Sequence, residues 1–336
     1  VRIAVTGSIA TDHLLTFPGR FRDQLVEGQL DRVSLSFLAD ELDVRRGGVA
    51  ANIAFGLGVL GLSPVLVGAV GQDFAEYGRW LEAHGVDTGS VRVSETLHTA
   101  RFICTTDDDL NQIGTFYAGA MSEARHIALD QVLSRAGGVD LLLVSPNDPA
   151  AMLRHTREAV ALGVPFCADP SQQLARMGRD DVRALLRGPR YLFTNEYEAH
   201  LVQEKTGWAE NQVLAQVGTW VITRGERGAR ILTRDLTPLD VAAVPATAPR
   251  EPTGAGDAFR AGFLAALAWT GDREHAARLG AALATMALES VGPHYRATGD
   301  DLLARLRETY GADAAAALAP GLDAVRLTVP LSAVSP

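Results

Sequence analysis

The chain has 336 residues, 47% of them hydrophobic, enough for one large core or a core with a small appendage. Its 40 acidic residues outnumber 31 basic ones, for a formal charge of −9, which argues against nucleic acid or an anionic membrane as the main partner and leaves room for a local basic pocket. Cys104 and Cys167 make neither a disulfide framework nor a zinc spacing, and both lie in apolar runs expected to be reduced core. The first residues, VRIAVTGSIA, already read as a strand without signal-peptide features, and no apolar stretch is long and unbroken enough to span a membrane. A soluble cytoplasmic protein is expected.

Short apolar runs at Ile3–Val5, Val65–Val70, Leu141–Val144, Phe166–Ala168, Tyr191–Phe193 and Trp220–Ile222 read as buried strands. Helical patterns at Val49–Leu60, Phe74–His84, Pro149–Leu162 and Glu196–Glu204 separate most of them. This alternation predicts a parallel sheet covered by helices on both faces, with ligands at the carboxyl ends of the strands. Two regions break the rhythm. Residues 33–46 and 91–117 carry strand-like runs without helices, and Ala100–Thr106 and Gln112–Tyr117 flank an Asp-rich turn, a hairpin signal. With residues 14–18, these segments are expected to form a lid inserted in a single domain. The Asp107-Asp108-Asp109 run is expected as a solvated turn. From residue 255 the pattern is helical: Ala255–Trp269, Glu274–Glu289 and Asp300–Tyr310. The tail after Gly311 has no assignment, and the histidines show no metal spacing.

The chemistry concentrates in Glu251-Pro252-Thr253-Gly254-Ala255-Gly256-Asp257. Gly254 and Gly256 let the backbone approach a ligand, and the helical pattern that follows puts free amides and the positive end of a helix dipole at this loop. Such a site suits the charge on a transferring phosphoryl group. Asp257, in the first turn, is placed to accept the proton of an attacking hydroxyl. The bland alternative is a capping Asp beside turn-forming glycines.

TGAGDAF, with Arg46-Gly47-Gly48-Val49-Ala50-Ala51-Asn52-Ile53-Ala54 earlier, resembles the paired signatures of the ribokinase-like (PfkB) carbohydrate kinase family in order and separation. The resemblance spans roughly residues 1–310. It implies a three-layer αβα sandwich around a mainly parallel sheet with a small β-sheet lid, and an ATP-dependent phosphotransferase. It further implies that Asp12, in the Gly7-Ser8 element, and Gly48 with Asn52 hold substrate hydroxyls. Asn195 and Glu198 match the N-x-x-E motif linked to Mg²⁺ and phosphate placement, and Thr223, Gly225 and Gly228 match a nucleotide element. Glu251 stands where the family often has Asp, which leaves monovalent cation binding, such as K⁺, open.

Within that family, GSIATDHL, VSLSFL, RRGGVAANIAFG, HTARF, ADPSQQLAR and YLFTNEYE resemble the actinobacterial adenosine kinases. That closer resemblance implies adenosine contacts at Ser8, Asp12, Ser36, Gly48, Asn52, Phe102, Phe116, Gln172 and Gln173, and a homodimer through the lid strands. Read from the residues, Phe102 and Phe116 on the hairpin suit the two faces of a base, with lid packing as the equal alternative. The implied mechanism has Asp257 deprotonate the 5′-hydroxyl of adenosine while the amides of Gly254, Ala255 and Gly256 and Mg²⁺ stabilise transfer from ATP. A sugar kinase of the same family and a non-catalytic nucleoside-binding regulator are the alternatives. Two decoys fall away. Gly56-Leu57-Gly58-Val59-Leu60-Gly61 fits GxGxxG but ends a helix instead of following a strand. A Walker A loop needs Gly-Lys, and the single lysine, Lys205, follows Glu204.

Overall fold

The computed structural model describes residues 1–25, 35–323 and Val325. In chain order the strands are β1 (Ile3–Thr6), β2 (Ala10–Thr16), β3 (Glu41–Gly47), β4 (Val65–Val70), β5 (Asp87–Val93), β6 (Ala100–Thr106), β7 (Gln112–Tyr117), β8 (Leu141–Val144), β9 (Phe166–Ala168), β10 (Tyr191–Asn195), β11 (Thr219–Thr223), β12 (Ala229–Thr233) and β13 (Leu239–Val241). The helices are α1 (Phe21–Gln24), α2 (Val49–Val59), α3 (Ala75–Ala83), α4 (Leu129–Ala136), α5 (Pro149–Ala161), α6 (Arg179–Leu185), α7 (Glu196–Thr206), α8 (Glu210–Leu214), α9 (Ala255–Thr270), α10 (Arg273–Leu288), α11 (Gly299–Tyr310) and α12 (Ala312–Leu322). Among the described residues no helix is long and apolar enough to cross a membrane.

All six apolar runs expected as buried strands join one nine-stranded sheet, in the order β13-β12-β11-β10-β9-β8-β1-β4-β5. From β11 to β5 the pairing is parallel, and β12 and β13 extend the edge antiparallel. Side chains alternate between two cores, as the two-residue period of a strand requires. Ile3, Val5, Leu141 and Leu143 pack with α2, α3 and α9 to α12 on one face. Ala4, Leu142, Val144 and Phe166 pack with α4 to α8 on the other. Both cysteines are free and buried, and the unassigned tail contributes α12.

A second, four-stranded sheet has the order β3-β2-β6-β7, with β2 and β6 parallel and the outer pairs antiparallel. It is the lid of a ribokinase-like fold. Val91–Val93, read with the lid segment, instead lies in β5 at the edge of the large sheet, and residues 33–34 fall outside the described residues. The Asp-rich turn is a turn with Asp108 and Asp109 exposed, as expected, and departs from expectation only at Asp107. Asp107 is 3% exposed, and its carboxylate accepts the amides of Phe21 (2.9 Å), Asp109 (3.0 Å) and Asn111 (2.8 Å). Burial would raise its pKa, but these donors outweigh burial and hold it below the ordinary carboxylate range. Asp107 thus ties the hairpin to the Phe17, Phe21 and Phe37 ring cluster.

Candidate active site

The parallel strands end on one side of the large sheet, and the residues following them make a crevice. Gly7 and Ser8 follow β1, Asn147 follows β8, Asp169 follows β9, and Asn195 and Thr223 close β10 and β11. The N-termini of α2 and α9 meet this edge.

Gly48 initiates α2 at φ 96°, where a β-carbon would stand 2.6 Å from the Ser8 carbonyl oxygen. Ser8 Oγ accepts the Val49 amide at 3.0 Å, capping the helix from a different segment, a contact worth roughly 1 kcal/mol. The small side chains of α2 then let α9 come close: a β-carbon on Gly56 would meet Ala261 at 2.6 Å. Close packing sets Asn52, one turn into α2, against Asp257, one turn into α9. Asn52 Nδ2 donates to Asp257 Oδ2 at 2.8 Å. The Gly56-to-Gly61 pattern is therefore a helix-packing device.

Gly254 caps α9 in the left-handed region at φ 81°, pressed against Pro293. The Ala255 amide turns back to the Pro252 carbonyl at 3.2 Å, and the first helical bond runs from Ala258 to Gly254. Among the described residues the amides of Gly254, Gly256 and Asp257 have no backbone acceptor, so of the Gly254–Gly256 set expected from the motif only the Ala255 amide is taken up. Burial pushes Asp257 up to about 7, against the pull of the Asn52 hydrogen bond and Arg260 and with a push from Asp169. A carboxyl poised near neutrality suits a general base.

Sequence reasoning missed the support beneath this loop. Arg260 and Asp169 form a buried ion pair, with Arg260 Nε 2.6 Å from Asp169 Oδ2 and Arg260 Nη2 2.6 Å from Asp169 Oδ1. Arg260 Nη1 also donates to the Gly256 carbonyl at 2.9 Å. Burial pushes Asp169 up, and the Arg260 charge and hydrogen bond pull it back down. The offset of four between Gly256 and Arg260 places both on one helix face and was the available signal.

Asp12 lies on the lid in register with Arg45 on β3 and Phe102 on β6, and Phe102 is in register with Phe116 on β7. Directly paired residues share a sheet face, so Asp12, Arg45, Phe102 and Phe116 form one row. The Arg45 guanidinium reaches Glu251, beside the Gly254–Asp257 loop, at 2.7 Å, which turns this face toward the crevice. Burial raises Asp12 to about 6, with Arg45 pulling it down and Glu251 pushing it up. Phe116 is 43% exposed, a ring surface open to a partner.

Glu198 and Asn195 make a capping box at the start of α7: Asn195 Oδ1 accepts the Glu198 amide and Glu198 Oε2 accepts the Asn195 amide, both at 2.8 Å. Glu198 Oε1 accepts from Ser171 Oγ at 3.2 Å. The N-x-x-E motif therefore has a local structural role as well as its place at the crevice. Thr223 ends β11, and Gly225 and Gly228 shape the next turn at φ 57° and 79°. Gln173 is buried and Gln172 exposed, in the turn after β9. Ser36 is exposed in the segment before β3, and no hydrogen bond among the described residues ties it to the crevice. Arg101 pairs with Asp73 at 2.7 Å.

Among the described residues, three buried amide atoms near this edge have no hydrogen-bond partner: Asn52 Oδ1, Asn147 Nδ2 and Gln173 Oε1. Unmet buried polar atoms are costly, and their gathering where a polar ligand would enter fits a binding site.

Residues 12–298 match the model of the pfkB family carbohydrate kinases. The chain belongs to this family. It is 33% identical over 251 residues to a nucleoside kinase of Methanothermobacter thermautotrophicus, covering 73% of this chain and 79% of that protein. A nucleoside kinase of Methanocaldococcus jannaschii is 28% identical over 248 residues, with 73% and 80% covered. Among solved structures, Burkholderia thailandensis nucleoside kinase in complex with inosine superposes with a TM-score of 0.80 at 35% identity, over 92% of this chain and 98% of that one. The protein is thus a pfkB-family phosphotransferase whose family acts on nucleosides or sugars.

Kinases of this family use ATP with Mg²⁺. Among the described residues no three His, Cys, Asp or Glu side chains gather as a metal shell. Asp169, Glu198 and Asp257 all act electrostatically on Arg260, and Asp169 binds it through both oxygens, which leaves Glu198 and Asp257 on the crevice side. That donor set fits a hydrated ion carried in with the nucleotide, since Mg²⁺ keeps much of its water.

Proposed function

We propose that the protein transfers the γ-phosphate of ATP to the 5′-hydroxyl of adenosine, giving AMP and ADP. The observation that carries this reading is the lid row of Asp12, Phe102 and Phe116 opposite the Asn52–Asp257 pair. A carboxylate and an amide suit ribose hydroxyls, and two rings suit a purine. The inosine complex of the Burkholderia enzyme supports a purine nucleoside as acceptor class.

Asp12, Gly48 and Asn52 seat the ribose, and Ser8 holds the α2 N-terminus on which that seat depends. Phe102 and Phe116 clamp the base, and Gln172 and Gln173 read its edge. Asp257 takes the hydroxyl proton, and the Gly256 and Asp257 amides face the charge developing on the phosphoryl oxygens. Thr223, Gly225 and Gly228 line the nucleotide, and Glu198 would hold a hydrated Mg²⁺, which would supply neutralising charge for the transferred group. Arg260 holds Gly256 in place, and the lid excludes water.

The outer lid face supports a homodimer. Leu42, Val44, Ile103 and Ile113 stand exposed on it, an apolar face suited to a second copy in a cytoplasmic enzyme. A coupled ADP-release assay with adenosine, inosine, other nucleosides and a sugar panel tests the function. Preferred turnover of adenosine is expected. Turnover of sugars alone would sink the acceptor claim, and no turnover with any alcohol would favour a binding protein.

A further inference from the structure

Among the described residues, one ion pair ties the lid to the 251–257 loop. Arg45 stands opposite Asp12 in the β2–β3 register, yet its guanidinium reaches past Asp12. It donates to Asp43 Oδ2 at 2.6 Å and to Glu251 Oε2 at 2.7 Å. The same Glu251 oxygen accepts the Gly292 amide at 3.0 Å, and the Thr253 hydroxyl also donates to Glu251. Gly292 precedes Pro293, the residue that presses on Gly254. A single carboxylate therefore joins lid strand β3, the segment leading into Gly254, and the loop that braces Gly254.

This pair differs from the other ion pairs that anchor the lid. Arg46 bonds Glu76 at 2.5 Å and Arg101 bonds Asp73 at 2.7 Å, and both hold the lid to the region around α3. Among the ion pairs of the described residues, Arg45–Glu251 is the one that joins the small sheet to the 251–257 loop. Its side chains are 21% and 26% exposed, so it is shielded from solvent more than a surface pair is. Arg45 uses Nε for Asp43 and Nη1 for Glu251, two nitrogens of one planar fork whose relative placement is fixed.

We infer that Arg45 and Glu251 are a positioning pair that seats the lid and orders the phosphate loop together, so that acceptor and phosphoryl group are aligned in one event. The inference rests on the kinase reading for its consequence in turnover, but not for the mechanical coupling. Neither residue touches reacting atoms. Their loss acts through the Gly254–Asp257 backbone on one side and the Asp12 row on the other.

The test compares wild type with Arg45→Gln, Glu251→Gln, the double variant, and Glu251→Asp as a milder change that keeps the charge. Each Gln variant should lower kcat about tenfold, the scale of one charge-assisted hydrogen bond, with the double no worse than the weaker single. ADP released per acceptor phosphorylated should rise above that of wild type, and Glu251→Asp should fall between. Hydrogen–deuterium exchange supplies the arm independent of acceptor. Amides of 252–256 should exchange faster in Arg45→Gln, and amides of 41–47 faster in Glu251→Gln. Unchanged exchange on the opposite side of the pair overturns the inference, as do additive losses in the double variant. If wild type phosphorylates no alcohol, the kinase reading fails while the exchange arm still decides the coupling.

Discussion

The phosphate loop and the lid face each other across one crevice but are built by different means. The loop is mostly backbone: two glycines, amides without backbone acceptors among the described residues, and a helix start, braced by Pro293 and by the buried Arg260–Asp169 pair. The lid acts through side chains on a thin sheet, with Asp12, Phe102 and Phe116 in one row and an apolar outer face. The difference teaches a division of labour. On the proposed function, main-chain amides serve phosphoryl transfer whatever the acceptor, while replaceable side chains on the lid choose the acceptor.

That division is broken most directly at Asp257. Asp257→Asn should lower kcat on the order of 10²–10⁴-fold for every acceptor, with binding retained in calorimetry. Its stability effect has the opposite sign. Asp257 has a raised pKa in the folded state, so wild type binds an extra proton when folded and loses stability as pH rises from 3.8 toward about 7. Asp257→Asn should therefore melt higher than wild type above pH 7, and the advantage should vanish below about pH 4.

Next in size is the brace. Arg260→Met leaves Asp169 buried without its partner, and a loss of about 3–5 kcal/mol in denaturant unfolding is expected. A loss under about 1 kcal/mol would mean that the loop is held otherwise.

The third prediction sharpens the contact between the two regions. Asn52 stabilises ionised Asp257, so Asn52→Ala should move the acid limb of the kcat profile to higher pH, costing more activity at pH 6 than at pH 9. An unmoved limb would separate Asn52 from the base. The smallest effect belongs to the lid rings. Phe116→Ala should raise KM for a nucleoside by about two- to tenfold, the worth of one stacking contact, and leave sugars unaffected.

The large sheet was legible because buried parallel strands are continuous apolar runs, and Leu141–Val144 and Val65–Val70 can be little else. The GAGD loop was legible because glycines at a helix start have few other uses. Four features were hidden. β5 belongs to the large sheet although 91–93 reads like lid, because strand pattern does not reveal which sheet a strand joins. Asp107 looks like a surface acid, and only the fold brings the Phe21 amide to it. Arg45–Glu251 and Arg260–Asp169 join residues 206 and 91 positions apart, a distance no local pattern encodes. Asn195–Glu198 carried two meanings at once, since a capping box and a phosphate-site motif share the same spacing.

The most direct measurement is the ratio of kcat/KM for adenosine to that for ribose, in wild type, Asp257→Asn and the Phe102→Ala/Phe116→Ala double variant. A loop that does the chemistry and a lid that chooses the acceptor predict a ratio unchanged by Asp257→Asn and sharply lowered by the double variant. A ratio that the double variant leaves at the wild-type value would contradict the account.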